Sequence, residues 1–493
     1  MNKNSIIVIY NNHNFSSVIK YVFDLIFSVY GIEYQTIPMN IIKKNDLAFK
    51  DAFVISYGKN KLSTNAKYQI HIYASDFLGK NYLKPSSMPK TPLKKYGDLP
   101  IIYYSDFSDL NGVLKKSNNS IETSIDIIAS IFFMLSRYEE ITLKNEDRYN
   151  RFPGEESLAG REGFLHRPIV NEYIELLWEW IQQLNPNLKR KPLWPGEKEF
   201  AVCVTHDIDY VKKYKFNKVM RRLGRLIFIE RKFKSTLDYF YDYLKVVSKF
   251  KKEPFDNFED MLECEQKYEI MSSFYFMTDG DSPFDSDYKI NNVKVMNRIK
   301  MIQERGCEVG LHPSFNSYLN YNMLKSQKIK LDNVVKNNNY GCRQHYLRWK
   351  TPDTWRILEK AGFLYDSSMG FADHEGFRCG FCLPFKPYDV IENRVINVWE
   401  LPFAIMDGTL CEPNYRNLSF QQCQDLILEY IEKTKEIKGA LVFIFHNTFF
   451  DRFIRWKDVF EEVIAHIGSQ NVFCRSGREI IEWWEKRKSF PLS

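Results

Sequence analysis

Two aspartates separated by a single residue are the first candidates for chemistry in this sequence. Asp207 and Asp209 follow the apolar run of residues 200–204, which predicts a buried strand. Side chains two residues apart in an extended chain point the same way, so both carboxylates would lie on one face. Neighbouring carboxylates repel each other unless a cation or a proton lies between them. The pair therefore predicts an acid–base or metal site; the alternative is a strand end with one capping and one solvated aspartate.

Histidines stand in the same kind of place further along the chain. The apolar runs 307–311 and 441–445 predict strands, and His312 and His446 follow them directly. From residue 256 onward, predicted helices and strands alternate regularly, which is typical of a β/α barrel with its active site at the strand ends. One histidine alone could be structural, but several at strand ends predict a shared site. Five of the nine histidines lie at or near such ends: His206, His312, His345, His374 and His446.

The first 195 residues predict a separate α/β region. Apolar runs at 6–9 and 52–55 read as strands, and residues 18–29 and 124–137 read as helices. The proline-containing stretch 185–197 predicts a linker. We therefore predict an α/β protein with an N-terminal α/β domain of unknown function over 1–195 and a distorted (β/α) barrel over 196–493. No catalytic group is predicted in the first domain.

Composition predicts an ordinary soluble protein of two or three domains. The chain has 493 residues, of which 44% are hydrophobic and 27% charged, with a mild net charge of +7. Neither this charge nor any motif indicates nucleic-acid binding. The nine cysteines are an odd number and none precedes Cys203, which favours reduced thiols and a cytoplasmic location. The start of the chain reads as a first strand rather than a signal peptide.

A basic segment follows Asp209 and forms a predicted helical insertion near 211–255. Lysines and arginines alternate there with apolar residues such as Leu223 and Ile227. A basic amphipathic helix can lie on anionic lipid or bind a polyanionic partner. The simpler interpretation is a solvated helical face whose other side packs on the main domain, and peripheral membrane contact is left open.

The motifs of the second half resemble those of the polysaccharide deacetylase family with NodB homology. The resemblance covers residues 200 to the C-terminus. Within the family, the chain is most similar to a subgroup that carries an extra N-terminal domain of uncharacterised function. Four stretches carry it: Thr205-His-Asp-Ile-Asp209, Gly306-Cys-Glu-Val-Gly-Leu-His312, Gly341-Cys-Arg343 with Tyr365-Asp-Ser-Ser368, and His446.

This resemblance implies a role for each motif residue. Asp207 would be the catalytic base, and Asp209 and His312 would bind a divalent metal, with zinc expected. Arg343 would keep the base ionised. His446 would protonate the departing amine. Outside the matched motifs, Asp407 is a further hypothesis as the group that tunes His446.

The chain departs from the family pattern at one metal ligand. Most members have a second histidine four positions after the first, where this chain has Asn316. An amide oxygen is a weaker zinc ligand than an imidazole. The third ligand is therefore Asn316, another histidine (His206, His345 or His374) or water, or the site has lost its metal.

The predicted function is a metal-dependent hydrolase that removes N-acetyl groups from an amino sugar or polysaccharide precursor. The alternatives are hydrolysis of another linear or cyclic amide, and a catalytically silent carbohydrate-binding protein. The expected partner is a carbohydrate substrate. Trp349, Trp355 and Trp399 could line a sugar groove, although core packing is the commoner use of each.

Overall fold

The computed structural model describes residues 6–39, 49–62, 64–105, 113–286, 288–453 and 455–489. Its first sheet has six strands in the order β2-β1-β3-β4-β8-β7. All neighbours pair in parallel except β7 and β8. The strands of this sheet are β1 Ile6–Tyr10, β2 Tyr34–Pro38, β3 Phe53–Gly58, β4 Tyr68–Tyr73, β7 Leu114–Lys116 and β8 Ser120–Thr123, and β5 Lys94–Tyr96 pairs with β6 Leu99–Ile101 outside it.

Helices pack on this sheet because its central strands are apolar on both faces. β1 and β3 are buried along their whole length, as expected for parallel strands covered on two sides. The helices of this region are α1 Ser16–Tyr30, α2 Ile127–Leu135, α3 Tyr138–Leu143, α4 Leu158–Arg161 and α5 Ile169–Leu184.

The second sheet is parallel throughout and curves as a half-barrel. Its order is β16-β13-β12-β11-β10-β9-β18-β17, with β19 also paired to β9, and among the described residues the path is open rather than a closed ring. Its strands are β9 Phe200–Ile208, β10 Ser273–Phe276, β11 Glu308–Leu311, β12 Gly341–Cys342, β13 Tyr365–Asp366, β16 Trp399–Glu400, β17 Ile405–Met406, β18 Ala440–Ile444 and β19 Val472–Cys474. A small hairpin, β14 Tyr388–Asp389 with β15 Arg394–Val395, lies outside this sheet.

Helices connect the strands of the half-barrel, so the predicted mixed α/β fold is confirmed at this level. A π-helical turn at Arg225–Ile229 follows the first of them. The helices are α6 Phe216–Gly224, α7 Phe233–Val247, α8 Phe258–Gln266, α9 Val293–Glu304, α10 Tyr321–Val335, α11 Asp353–Ala361, α12 Asp407–Cys411, α13 Phe420–Glu436, α14 Phe449–Arg452, α15 Trp456–Gly468 and α16 Gly477–Lys486. Within the described ranges, none of the helices has both the length and the apolar character needed to cross a bilayer.

The two sheets share one buried core. A single hydrophobic cluster contains residues of α1, α2 and α5 together with residues of β10 and β11. Buried charges cross the same boundary, since Glu140 Oε1 accepts hydrogen bonds from Arg137 Nε at 2.8 Å and from Arg378 Nε at 2.9 Å. The division into domains at residue 195 therefore stays a prediction.

Candidate active site

The alternation of β9 separates Asp207 from its neighbour His206. His206 lies on the helix-covered face of the sheet, where its Nε2 is 2.7 Å from Glu265 Oε1. Thr205 and Asp207 point the other way, towards Arg343 in the half-barrel interior. This is the period of two expected of a strand. It places Asp207 on the interior face of the half-barrel and His206 in a contact with Glu265 on the opposite face.

Asp209, His312 and His345 form a cluster beyond the ends of three strands. Asp209 Oδ1 lies 3.4 Å from His312 Nε2 and 3.5 Å from His345 Nδ1. The two imidazole nitrogens are 2.9 Å apart. Parallel strands bring these residues to the same edge of the sheet because they follow β9, β11 and β12. The cluster has the spacing of a metal site with one ligand atom from each residue.

The hydrogen bonds around the two histidines fit a cation. His312 Nδ1 is 2.5 Å from the carbonyl oxygen of Arg343, and His345 Nε2 is 2.9 Å from the carbonyl oxygen of Phe284. Carbonyls only accept, so both of these nitrogens carry hydrogen. If both rings are neutral, His312 Nε2 and His345 Nδ1, which face each other, carry lone pairs and no hydrogen. Such an arrangement needs a metal or an extra proton between them, and carbonyl contacts of this kind orient metal-binding histidines.

The charges of the cluster agree with this arrangement. Burial would raise the pKa of Asp209, but the His312 imidazole and the charges of His345 and His446 hold it well below its ordinary value. Burial lowers the pKa of His345 to about 4, whereas Asp207 and Asp209 outweigh burial and raise the pKa of His312. Asp209 Oδ1 is buried without a hydrogen-bond partner. A carboxylate oxygen left in this way is ready for a ligand outside the chain.

Asp207 also faces the guanidinium of Arg343. Arg343 Nη1 lies 3.8 Å from Asp207 Oδ1, and both side chains are almost fully buried. The Arg343 guanidinium lies over the rings of Tyr275 and Phe403 at 5.1 and 5.2 Å. Asp207 Oδ1 has no hydrogen-bond partner in the structure. The base candidate is thus held by charge and still has a free acceptor oxygen.

Asp407 holds His446 with both of its oxygens. Its Oδ1 is 2.5 Å from His446 Nδ1, and its Oδ2 accepts from the His446 backbone N–H at 2.6 Å. Burial would lower the pKa of His446, but Asp407 raises it to about 10. His446 Nε2 is 3.9 Å from Asp209 Oδ2, so the ring faces the cluster. The sequence suggested Asp407 as a partner of His446, and the structure places the two in contact.

These groups open into a pocket of about 780 Å³ with one wall from the first region of the chain. The loop of residues 147–151 supplies that wall. Arg348 donates to the Tyr149 carbonyl at 3.0 Å and to Asn150 Oδ1 at 2.9 Å, and Arg151 donates to the Tyr346 carbonyl at 3.3 Å. No motif in the sequence indicates a functional group in this loop. The only signal was its density of charged and aromatic residues.

Several predicted residues lie outside the cluster. Asn316 is exposed, and its side-chain oxygen faces Arg348 at 3.3 Å, so the structure does not bring it to Asp209 and His312. His345, which the sequence left as an alternative, occupies the third position instead. His374 pairs with Asp373 at 3.2 Å. The three tryptophans lie in the core, and within the described chain none lines this pocket: Trp349, Trp355 and Trp399.

Comparisons with known proteins give a family match over the first region and structural similarity to several solved structures. Residues 7–186 match the model of a family of unknown function, DUF7033. No curated protein matches the chain.

Three solved structures illustrate the similarity. A protein described as a probable polysaccharide deacetylase from Pseudomonas aeruginosa PAO1 is 14% identical, with 62% of this chain and 97% of that chain covered and a TM-score of 0.41. An allantoinase is 14% identical over 62% and 96%, with a TM-score of 0.39. A pseudoenzyme of the CE4 family is 10% identical over 60% and 72%, with a TM-score of 0.30. With similarity this limited, the fold described above rests on the chain's own strand pairing.

Proposed function

We propose that this protein is a metal-dependent hydrolase that removes N-acetyl groups from an amino sugar or a polysaccharide precursor. One observation supports this most strongly: Asp209, His312 and His345 converge in the same pocket as Asp207 and the Asp407–His446 pair. A cation site, a separate carboxylate and a second, carboxylate-bound histidine are the three parts that amide hydrolysis requires.

The residues that would hold the metal are Asp209, His312 and His345. Two imidazoles and a carboxylate suit Zn²⁺, with the remaining coordination positions facing the pocket. When bound, the ion would supply a water of lowered pKa and polarise the acyl oxygen of the substrate. His312 and His345 are already oriented for this role by the carbonyls of Arg343 and Phe284.

Asp207 would take the proton of the attacking water. Its Oδ1 is free of hydrogen bonds, and the Arg343 guanidinium lies 3.8 Å away and would hold the carboxylate in place. A second carboxylate is needed because Asp209 is committed to the cation. The spacing of one residue thus divides two tasks between two aspartates.

His446 would return a proton to the departing amine, which is otherwise a poor leaving group. Asp407 accepts at Nδ1, so Nε2 is the nitrogen that faces the reaction. A carboxylate behind an imidazole fixes its tautomer and stabilises its charged form, as in the hydrolase triads.

The substrate would be a sugar rather than a small amide because of the pocket walls. The volume of the pocket is within the range of roughly 300–1,000 Å³ that is typical of small-molecule sites. Tyr149, Tyr346 and Tyr415 line it, and aromatic faces of this kind pack against sugar rings. An allantoin-sized amide would leave much of this space empty.

A metal and acetate assay tests the proposal. Purified protein would be analysed for bound metal by mass spectrometry and for acetate release from N-acetylated amino sugars and their oligomers. Asp207→Asn should keep the metal and lose about a hundredfold to ten-thousandfold in rate, because it removes only the base. Asn316→Ala, which changes an exposed residue near the same pocket, is the matched control and should keep both.

The alternatives give different results in the same assay. Turnover of small linear or cyclic amides without turnover of sugars would favour the second function. Protein that binds saccharides, holds no metal and releases no acetate would favour a silent binding module. Equal loss of metal in Asp207→Asn and Asp209→Ala would show that the two carboxylates were assigned wrongly.

A further inference from the structure

The basic insertion carries more positive charge than the whole protein. Residues 211–252 contain fourteen lysines and arginines and three acidic residues, a net of +11, whereas the whole chain has a net charge of +7. The rest of the chain is therefore net acidic. Charge this concentrated produces a local field that attracts an anionic surface.

The same segment leaves its apolar side chains in water. Helix α7 buries none of its residues. Of the seventeen large hydrophobic residues that are exposed in the described ranges, eleven lie between residues 216 and 250. The outer side of α7 is therefore exposed to solvent. The outer stripe of the helix follows helical spacing: Phe233, Leu237, Phe240, Tyr241 and Leu244.

The most exposed aromatic residues stand at the two ends of α7. Phe228 is 80% exposed in the π-helical turn before the helix, and Phe250 is 89% exposed after it. Soluble proteins rarely expose a contiguous apolar patch of this kind unless it binds something. With these residues the apolar stripe extends beyond both ends of α7.

A small core of its own holds the insertion together. Tyr214, Val219 and Leu223 are buried against the inner side of α7, where Tyr239 and Tyr243 pack. The inner stripe of α7 thus supports the fold, and the outer stripe is left for a partner. The outer stripe is therefore exposed even though α7 is packed on its inner side.

The base of the insertion is fixed beside the candidate active site. The amide of Asn447, the residue after His446, donates to the carbonyls of Tyr210 and Phe255 at 2.8 Å each. These two residues stand at the start and end of the insertion. Lys213 also pairs with Asp451 at 2.7 Å. The insertion therefore projects from a fixed position at the edge of the site.

We propose that the insertion, residues 211–252, is a docking surface for an anionic lipid bilayer. The outer stripe of α7 with Phe228 and Phe250 would enter the headgroup region, and the surrounding lysines and arginines would contact lipid phosphates. A protein partner fits less well, because charged residues, lysine in particular, are depleted in the cores of protein interfaces. The insertion would lie in the plane of the membrane, so this binding needs no helix that spans the bilayer.

Sedimentation of the full-length protein with vesicles tests this surface. Vesicles of phosphatidylcholine mixed with phosphatidylglycerol should bind the protein at low salt, and pure phosphatidylcholine vesicles or high salt should release most of it. Replacing Ile229, Phe233 and Leu237 by serine should weaken binding by about tenfold or more, because each loses buried apolar area in the bilayer. Arg221→Glu with Lys234→Glu should weaken it through charge.

Matched variants separate docking from folding and from catalysis. Ile329→Ser with Ile391→Ser removes two apolar residues that are 48% and 56% exposed on other elements, and it should leave vesicle binding unchanged. All variants should keep their circular dichroism and their turnover of a water-soluble substrate, since the outer stripe lies outside the pocket. Absence of binding to anionic vesicles would overturn the proposal. So would equal losses in the two serine variants, or apolar-stripe variants that abolish self-association instead of vesicle binding.

Discussion

Glu308 and Asp209 are both acidic residues of the half-barrel, and their surroundings differ in how many donors they meet. Glu308, at the start of β11, accepts from Ser273 Oγ at 2.7 Å, Tyr365 OH at 2.9 Å and two backbone N–H groups at 3.0 Å. Asp209, just after the end of β9, has an Oδ1 that is buried and accepts none. The first carboxylate is satisfied by the chain itself. The second has one oxygen that the chain leaves without a donor, as a ligand of the proposed metal would be.

The same difference separates a structural cluster from the proposed metal site. Glu308 holds the interior of the half-barrel at the N-terminal end of the strands, where Tyr275 OH and Tyr365 OH also meet at 2.8 Å. Gly341 leaves room there, since a Cβ at that position would lie 2.1 Å from the Tyr365 ring. Asp209 lies at the C-terminal end, where barrels carry their chemistry. Burial of a carboxylate is therefore no guide to its role until its donors are counted.

Substitutions of Asp209 and Glu308, one in each cluster, give the largest expected effects on metal binding and stability. Asp209→Ala should lose bound metal, turnover and the rise in melting temperature that saturating metal gives, about 4 kcal/mol of stabilisation at a thousandfold excess over Kd. Glu308→Gln should keep metal and turnover but lose about 1–3 kcal/mol of unfolding free energy, because an amide donor replaces an acceptor. Calorimetry with and without metal measures both.

The comparison fails if the two variants behave alike. Metal loss in folded Glu308→Gln would mean that the interior cluster is part of the site. Full metal binding by Asp209→Ala would mean that the unpartnered oxygen has no ligand role.

The third ligand position gives the next effect. His345→Ala should weaken metal affinity by about 10–100-fold or more, the range in which even supporting residues of metal sites act. Asn316→Ala should change it little, because the structure places that side chain outside the cluster. Competition with a chromogenic chelator measures both affinities. The reverse order would restore the ligand set suggested by the family spacing.

A third buried acid gives the smallest effect and adds a pH test. Burial would raise the pKa of Glu140, but Arg378 and Arg137 lower it to about 2. A depressed carboxyl pKa stabilises the fold above the unfolded value and loses that contribution as pH falls through the folded one. The free energy of unfolding should therefore fall between about pH 4.5 and pH 2, and Glu140→Gln should flatten this dependence.

Denaturant titrations at several pH values measure the slope for both proteins. An unchanged slope in Glu140→Gln would mean that other carboxyl groups carry the acid sensitivity. It would also mean that the charges of Arg137 and Arg378 do not stabilise the ionised form of Glu140.

Local pattern predicted the strand ends well because each is an apolar run followed by a polar residue. Asp207, Asp209, His312 and His446 could be placed in this way. His345 could be named only as one of several alternatives for the third ligand, because it follows a strand of two residues and precedes Tyr346 and Leu347, whose positive φ values turn the chain. A spacing of four from His312 pointed to Asn316, but the loop after β11 turns that residue towards solvent.

Contacts between distant parts of the chain were beyond the sequence altogether. Tyr149 and Arg348 are 199 positions apart, and no pattern around either one indicates the other. The insertion shows the same limit in another form. Its basic and apolar periodicity was visible, but which side of α7 meets protein and which meets water depends on a small core formed by residues of several segments.

Under the proposed function, the wall at residues 147–151 means that the choice of substrate and the reaction would be encoded far apart in the gene. Changes in a five-residue loop could alter which molecule fits without touching a single acid or imidazole of the half-barrel. A truncated form that begins near residue 196 would lose this boundary and leave Arg348 without two of its acceptors. Such a fragment, if it folds, should accept a broader range of molecules than the complete chain.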